Sequence, residues 1–227
     1  MKFDKAAVIV AAGKSARLGL GKNKALLELN STPIFIISVK KFIKAGYDFC
    51  VICAPENEIP LFAEQLRLFA LDKNAAVIAG GAERSNSVLN GLQYLASGNP
   101  QFVAIHDAAR PFFDEHLLNI EFAETDAGFI YAAPVKDTIK SVENRRILKT
   151  LNRPSLIAVQ TPQIFRYAAI HAAYKKSRGR IFTDDAALIE ETRHVKYIPS
   201  SDMNFKITTP KDLQFAQYLL DTGTVKI

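Results

Sequence analysis

The stretch VIVAAGKSARLGLGKNKALLEL, residues 8–29, begins as an unbroken apolar run, turns at Gly13, and is rich in cations and glycine before it becomes apolar again at Leu26. Its first half decides the fold. A short run that is apolar at successive positions, rather than alternate ones, fits a strand covered on both faces, and such strands belong to parallel sheets. Further runs of this kind lie at 49–53, 75–79, 102–106 and 128–133. Between them, 33–45, 58–69, 85–96 and 115–124 carry helical period, the first and third closed by Gly46 and Gly98. Strand and helix alternate, which predicts a doubly wound, mostly parallel, Rossmann-like α/β sheet with helices on both faces and ligands at the carboxyl ends of the strands.

After Pro134 the rhythm breaks. DTIKSV and ILKTL flank the polar turn 143–146 and read as a β-hairpin too poor in apolar residues to join the core. An isolated hairpin is barely stable in water, so an arm over 136–153 is expected to pack on something, a second copy of the chain being the first candidate. The chain then returns with a strand at 156–160, a helix at 167–176 and helix starts at Thr183-Asp184-Asp185 and Thr209-Pro210-Lys211-Asp212. A length of 227 residues suits one domain over 1–227 with 136–153 as its excursion.

Composition narrows the function classes. Apolar residues make up 48% and charged residues 23%, the balance of a globular chain. The run behind Lys2 and Lys5 has Asp4 in its flank, and a lysine follows Gly13 at once. It therefore reads as a buried strand instead of a leader, and it is far short of the roughly 20 residues that span a bilayer. A cytoplasmic protein with no membrane attachment is expected. Cys50 and Cys53 fall on opposite faces of one strand with no second ligand pair, so they read as small core residues in a reducing compartment. The net charge of +6 is concentrated: residues 1–24 carry +5, residues 136–153 carry +4, and the rest sums to −3. Two compact basic segments suit small polyanions better than nucleic acid, which calls for a basic stripe and a base-reading module.

The letters GKS at 13–15 resemble a Walker A ending, but that loop needs glycine five residues before Gly13, where Val8 stands. A dinucleotide fingerprint fails as well, because Gly19-Leu20-Gly21 is followed by Lys24 where its last glycine belongs. A small-residue turn, Ala11-Ala12-Gly13, and a glycine-containing loop bearing Arg17 and Lys24 remain. Small side chains let backbone N–H groups approach an anion, while a guanidinium fork and an ammonium meet its oxygens; the combination suits a triphosphate. Gly80-Gly81-Ala82-Glu83-Arg84 through Ser87 offers a second turn ahead of a helix, where amides and Ser87 can face a base or ribose. HDAARP, 106–111, ends the fourth strand and places Asp107 where a carboxylate meets a ribose hydroxyl or a metal ion, with His106 read as a structural hydrogen-bonding residue.

Taken in order, VAAGKSARLG with Lys24, GG-x-E-R-x-x-S-V, HDAARP, PVKDT, QTPQ-x-F, TDDA and NFKIT resemble the 2-C-methyl-D-erythritol 4-phosphate cytidylyltransferases, the IspD family, over nearly the whole chain. The resemblance implies a homodimeric nucleotidyltransferase that uses CTP with Mg²⁺ and a polyol phosphate. It implies that Ala11, Ala12, Gly13, Gly81, Ala82, Ser87, Asp107 and Ala108 surround the nucleotide, and that Arg17, Lys24, Arg153 and Lys206 stabilise the transition state. Asp107, Arg110, Thr138, Arg153, Thr183 and Lys206 are implied at the sugar phosphate, with Thr138 and Arg153 brought by a partner's arm; Asp107 is also the candidate metal contact. Four positions depart from the family pattern: Val10 stands for a frequent proline, Asn23 and Ala25 flank Lys24 in place of the P and Q of P-K-Q, and Ala82 stands for a frequent acid. Ribitol-5-phosphate cytidylyltransferases are similar too, but they resemble HDSVRP where this chain has HDAARP, which favours methylerythritol phosphate. The implied nucleophile is already an anion, in keeping with a chain that shows no triad-like arrangement.

Overall fold

The computed structural model describes residues 3–13, 23–177, 182 and 184–227. Arg17 and Thr183 therefore lie outside the described residues. The expected runs form β1 (Lys5–Val10), β4 (Phe49–Ala54), β5 (Ala75–Ala79), β6 (Phe102–Asp107) and β7 (Asp126–Pro134). With β10 (Ile157–Arg166) and β11 (His194–Pro199) they make one seven-stranded sheet, ordered β11-β7-β10-β6-β1-β4-β5. Only β10 runs antiparallel to its neighbours, so the sheet is mostly parallel.

The alternation of side chains along β1 divides the core in two. Ala7 and Ile9 face one layer with Phe35, Phe42, Phe62 and Leu66 from α1 (Ile34–Lys44) and α2 (Ile59–Leu68). Ala6 and Val8 face the other, with Val88 and Leu92 of α3 (Arg84–Tyr94) and Ile170 and Tyr174 of α4 (Tyr167–Lys176). Helices thus cover both faces. The chain winds outward from β1 through α1 to β4 and α2 to β5, then recrosses the other face on α3 to β6. The strand order therefore reverses between β1 and β6, where doubly wound sheets open a crevice at their carboxyl ends. α5 (Pro210–Asp221) starts at the expected Thr209, whose hydroxyl accepts from Asp212 N–H at 3.2 Å.

Gly91 sits in the middle of α3, where glycine ordinarily weakens a helix. A Cβ there would lie 2.5 Å from Val8 Cγ1 and 3.2 Å from Cys53 Sγ, so its absence allows α3 to press onto β1 and β4. Gly91→Ala gains roughly 1 kcal/mol of helix propensity, but overpacking costs about 1–3 kcal/mol. Net destabilisation is expected, visible as a lower urea midpoint at unchanged m.

The structure corrects several local readings. The segment 115–124 is not a helix; it forms a short 3₁₀ turn at Glu115–Leu118, and the chain beyond is irregular. Leu118, Ile120 and Phe122 recur every second residue, and Phe122 seats its ring 4.5 Å from Phe102 and 4.9 Å from Phe129. Of the helix start expected at 183–185, the described part leads only to a 3₁₀ turn at Ala186–Leu188; Asp184 caps it by accepting from Ala186 N–H at 3.3 Å, while Asp185 turns its carboxylate to Arg84. The strand read at 156–160 extends to Arg166, with a register shift around Pro162, which has no N–H for the ladder. The sequence reading did not include β11, nor a small hairpin of β2 (Glu28–Leu29) and β3 (Thr32–Pro33) turning on Asn30 and Ser31, both at positive φ. The arm is present as β8 (Lys140–Glu143) and β9 (Arg146–Thr150), turning at Asn144-Arg145, also at positive φ.

Candidate active site

A cleft of about 960 Å³ opens over the carboxyl ends of β1, β4, β5 and β6. Its lining contains ten of the residues singled out in the sequence: Ala11, Ala12, Gly13, Lys24, Gly81, Ala82, Ser87, Asp107, Ala108 and Lys206. They come from stretches almost 200 residues apart in sequence; the strand order brings the turns together, and the Ile207 N–H bond to the Ala109 carbonyl at 2.9 Å brings Lys206 to them.

The first wall is the turn after β1. Ala11 continues the ladder by donating its N–H to the Cys53 carbonyl, 2.8 Å away, and the chain then leaves the sheet with only small side chains. The second wall is the turn before α3. Gly81 admits no side chain, since a Cβ would run into Asn86, and its N–H donates to Ser87 Oγ at 2.9 Å. The Ser87 hydroxyl in turn donates to the Glu83 carbonyl, 3.2 Å away. Ser87 thus lines the cleft while its hydroxyl holds the glycine turn in shape. Cys53, beneath this turn, donates its thiol to the Ser87 carbonyl, and burial pushes its pKa up to about 12, so both free cysteines are core residues as read.

The floor is charged. Asp107 at the end of β6 accepts from Arg84 Nε at 2.9 Å on one oxygen and from Lys206 Nζ at 2.6 Å on the other. Burial alone would raise its pKa; the Arg84 and Lys206 cations outweigh this and hold the carboxyl far below the usual range. Arg84 continues the chain of charge to Asp185, which accepts two guanidinium bonds at 2.9 and 2.7 Å and a third from the Tyr174 hydroxyl. Asp185 is wholly buried, so these partners are what keep a charge there tolerable. Burial would lower the Arg84 pKa, but Asp185 and then Asp107 raise it well above the ordinary arginine value. Arg84 and Asp185 were not among the expected site residues. Arg84 was visible inside the GG-x-E-R motif, whereas nothing in the sequence announces that Asp185 folds under it.

His106 is structural, as expected. Its Nε2 lies 3.2 Å from the Arg110 carbonyl, which can only accept, so Nε2 carries the proton and Nδ1 accepts from the Thr161 hydroxyl at 3.2 Å. The Thr161 oxygen also receives the Asp107 N–H at 3.0 Å, which fixes the peptide carrying the carboxylate. Burial pushes the His106 pKa down from 6.5 to about 3. Between those values the unfolded chain binds a proton that the folded one refuses, so stability is full above pH 6.5 and falls as pH drops. We expect about 1.4 kcal/mol lost per pH unit from this residue between pH 6.5 and 4.5. Urea unfolding of wild type and His106→Gln should show that extra slope only in the wild type.

Not every expected residue reaches the cleft. Arg110 is half-buried below it and donates to the Asn204 carbonyl at 2.7 Å; it does not line the wall. Thr138 and Arg153 are exposed on the arm, and Arg153 donates to the Lys136 carbonyl at 2.8 Å across the arm's base. For Mg²⁺, among the described residues there is no group of three or more His, Cys, Asp or Glu placed to hold a metal. Asp107 is the strand-end carboxylate facing the cleft, and both its oxygens already bond cations. A magnesium ion at Asp107 would have to take one oxygen from Arg84 or Lys206 and would find most of its ligands in phosphate and water. Among the same residues no helix is long and apolar enough to cross a membrane.

A reversal-point cleft with two small-residue turns over a floor of paired charges suits a nucleotide, and the chain's relatives give the class: a Rossmann-like nucleotidyltransferase. The family model described as IspD, 2-C-methyl-D-erythritol 4-phosphate cytidylyltransferase, matches residues 5–222, and the chain belongs to that family. It is 39% identical over 219 residues to the 2-C-methyl-D-erythritol 4-phosphate cytidylyltransferase of Bacillus cereus, covering 94% of this chain and 96% of the relative. Against that of Geotalea uraniireducens it is 40% identical over 222 residues, covering 94% and 95%. Among solved structures it is similar to the 4-diphosphocytidyl-2C-methyl-D-erythritol synthase of Anaerococcus prevotii, with a TM-score of 0.81 at 26% identity over 97% of this chain and 96% of that one.

Proposed function

We propose that the chain transfers the cytidylyl group of CTP to 2-C-methyl-D-erythritol 4-phosphate, giving 4-diphosphocytidyl-2-C-methyl-D-erythritol and pyrophosphate. A phosphate oxygen of the sugar phosphate attacks the α-phosphorus in line, a new P–O bond forms, and the bond to the β-phosphate bridging oxygen breaks with its electrons leaving on pyrophosphate. No proton need be removed from this nucleophile. The obstacle is repulsion: two unit charges 4 Å apart repel by about 4 kcal/mol at an effective dielectric near 20, and several phosphate charges must converge.

The observation that carries the reading is the convergence of both small-residue turns and the Lys206–Asp107–Arg84 cluster in one cleft. The turns after β1 and before α3 supply amides and space for the nucleotide; Ala82 leaves more room beside them than an acidic side chain would. Lys24 and Lys206 are set to receive phosphate charge, and Arg17 and Thr183 are assigned the same neighbourhood by motif alone. Lys206 is held by Asp107 at a fixed place, so its positive charge is preorganised. Magnesium bound with the triphosphate would neutralise part of its charge and that of the leaving pyrophosphate, with Asp107 its protein contact.

A homodimer is part of this proposal. Val142, Ile147 and Leu148 on the arm are 64%, 60% and 56% exposed, an apolar surface that favours a second copy as its cover. Thr138 and Arg153 ride on the same arm and would complete the partner's sugar-phosphate site. The CTP requirement and two free buried thiols favour a cytoplasmic setting. Incubation with CTP, Mg²⁺ and a panel of polyol phosphates, with pyrophosphate release as readout, tests the reaction; release with ribitol 5-phosphate but not the methylerythritol compound would redirect the substrate. Arg153→Ala is expected to raise KM for the sugar phosphate by about tenfold and to leave KM for CTP within about twofold. Equal effects on both would remove the arm from that subsite.

A further inference from the structure

We propose that Asn23 is a positioning residue for the transfer and acts through Lys24, an inference that rests on the phosphate-facing role given to Lys24 above. Asn23 is only 6% exposed, and it lines the cleft beside that lysine. Its Oδ1 accepts from Ala25 N–H at 3.0 Å, and its Nδ2 donates to the Ala11 carbonyl at 3.0 Å and to Glu58 Oε2 at 2.7 Å. Capping a turn needs only the first of these bonds. The other two tie the turn that carries Lys24 to the end of β1 and to the residue that opens α2, and both acceptors belong to residues of the cleft wall.

Lys24 is thereby fixed from both sides. Before it stands the three-bonded Asn23; after it Ala25, 1% exposed, packs in the same core cluster as Ala11. A lysine chain has many rotamers, so aiming its ammonium at a developing charge depends on where its backbone is rooted. The amide of Asn23 supplies that root, and it does so with a polarity that matters. An aspartate at this position would keep the bond to Ala25 but turn an oxygen toward the Ala11 carbonyl and the Glu58 carboxylate.

The test measures kcat, both KM values and Tm for Asn23→Ala, Lys24→Ala, the double variant, and Asp114→Ala. Asp114 caps a similar turn away from the cleft, its carboxylate accepting from His116 N–H at 3.0 Å, so it controls for loss of a cap. Asn23→Ala is expected to lower kcat by about 10- to 100-fold with KM for the sugar phosphate nearly unchanged. Adding it to Lys24→Ala should cost nothing further, while Asp114→Ala lowers Tm comparably at wild-type kcat. Asn23→Asp should be slower than Asn23→Ala, and Glu58→Gln should restore part of its activity by offering an N–H in return. If Lys24→Ala is slow and Asn23→Ala is not, or if their effects multiply, the inference fails while the reading of Lys24 stands; normal turnover of Lys24→Ala sinks that reading first. Absence of recovery in the Asn23→Asp/Glu58→Gln pair also overturns it.

Discussion

Replacing Lys24 with alanine is expected to lower kcat by about 10²–10³-fold while the fold remains intact, the range associated with loss of one preorganised donor to a developing anion. The lysine is partly exposed in the wall of the cleft, and its backbone is fixed by Ala25 in the core, so truncation opens no cavity in the core. The effect should therefore appear in turnover and not in Tm, and steady-state pyrophosphate release at saturating CTP and sugar phosphate is the direct measurement. Near-normal kcat would refute the role. Lys24→Arg keeps the charge but exchanges a point cation for a larger planar fork, and is expected to recover only part of the loss.

Asp107→Asn is the second large effect, and here stability and activity fall together. Asp107 is shared by two cations, and its side chain is only 12% exposed; removing its charge leaves Arg84 and Lys206, 25% and 35% exposed, to repel each other. Breaking a buried pair from one side costs about 3–5 kcal/mol. Partial exposure of both cations screens the loss, so the lower end, about 3 kcal/mol, is expected. Because the folded pKa of Asp107 is depressed, its contribution is present above the ordinary carboxylate pKa and disappears as pH falls through the folded value. Wild type and variant should thus differ most near neutral pH and converge in acid. In turnover, kcat should drop at least tenfold, since Lys206 loses the bond that fixes it, while KM for the trianionic end of CTP should not rise, since an anion has been taken out of the cleft. A variant as stable as wild type at pH 7 would show that Arg84 and Lys206 do not depend on Asp107.

The sequence by itself determined the layers. Continuous apolar runs such as Ala6-Ala7-Val8-Ile9 can be buried only between two covered faces, so a parallel sheet with flanking helices follows from local composition. The small-residue turns were legible for the same reason: Gly81 and Ala11 are conspicuous because the backbone there must come close to something. Hairpin and cap chemistry also wrote itself locally, as at Thr209-Pro210 and in the arm. The helix expected at 115–124 failed because the segment was read on a helical period, whereas Leu118, Ile120 and Phe122 recur every second residue and the Phe122 ring packs on Phe102 and Phe129 of the sheet.

Only the tertiary structure decided who faces whom. The order β11-β7-β10-β6-β1-β4-β5 sets Lys206 against Asp107 at 2.6 Å and buries Asp185 beneath Arg84, pairs separated by 99 and 101 positions in the chain. It also inserts β10 backwards between β6 and β7, although Pro162 within it has no N–H to give the ladder. The physical reason is one of range. Period, turn preference and capping act over a few residues and are printed in the sequence, whereas charge pairing and burial depend on distances through space that exist only after the sheet has closed.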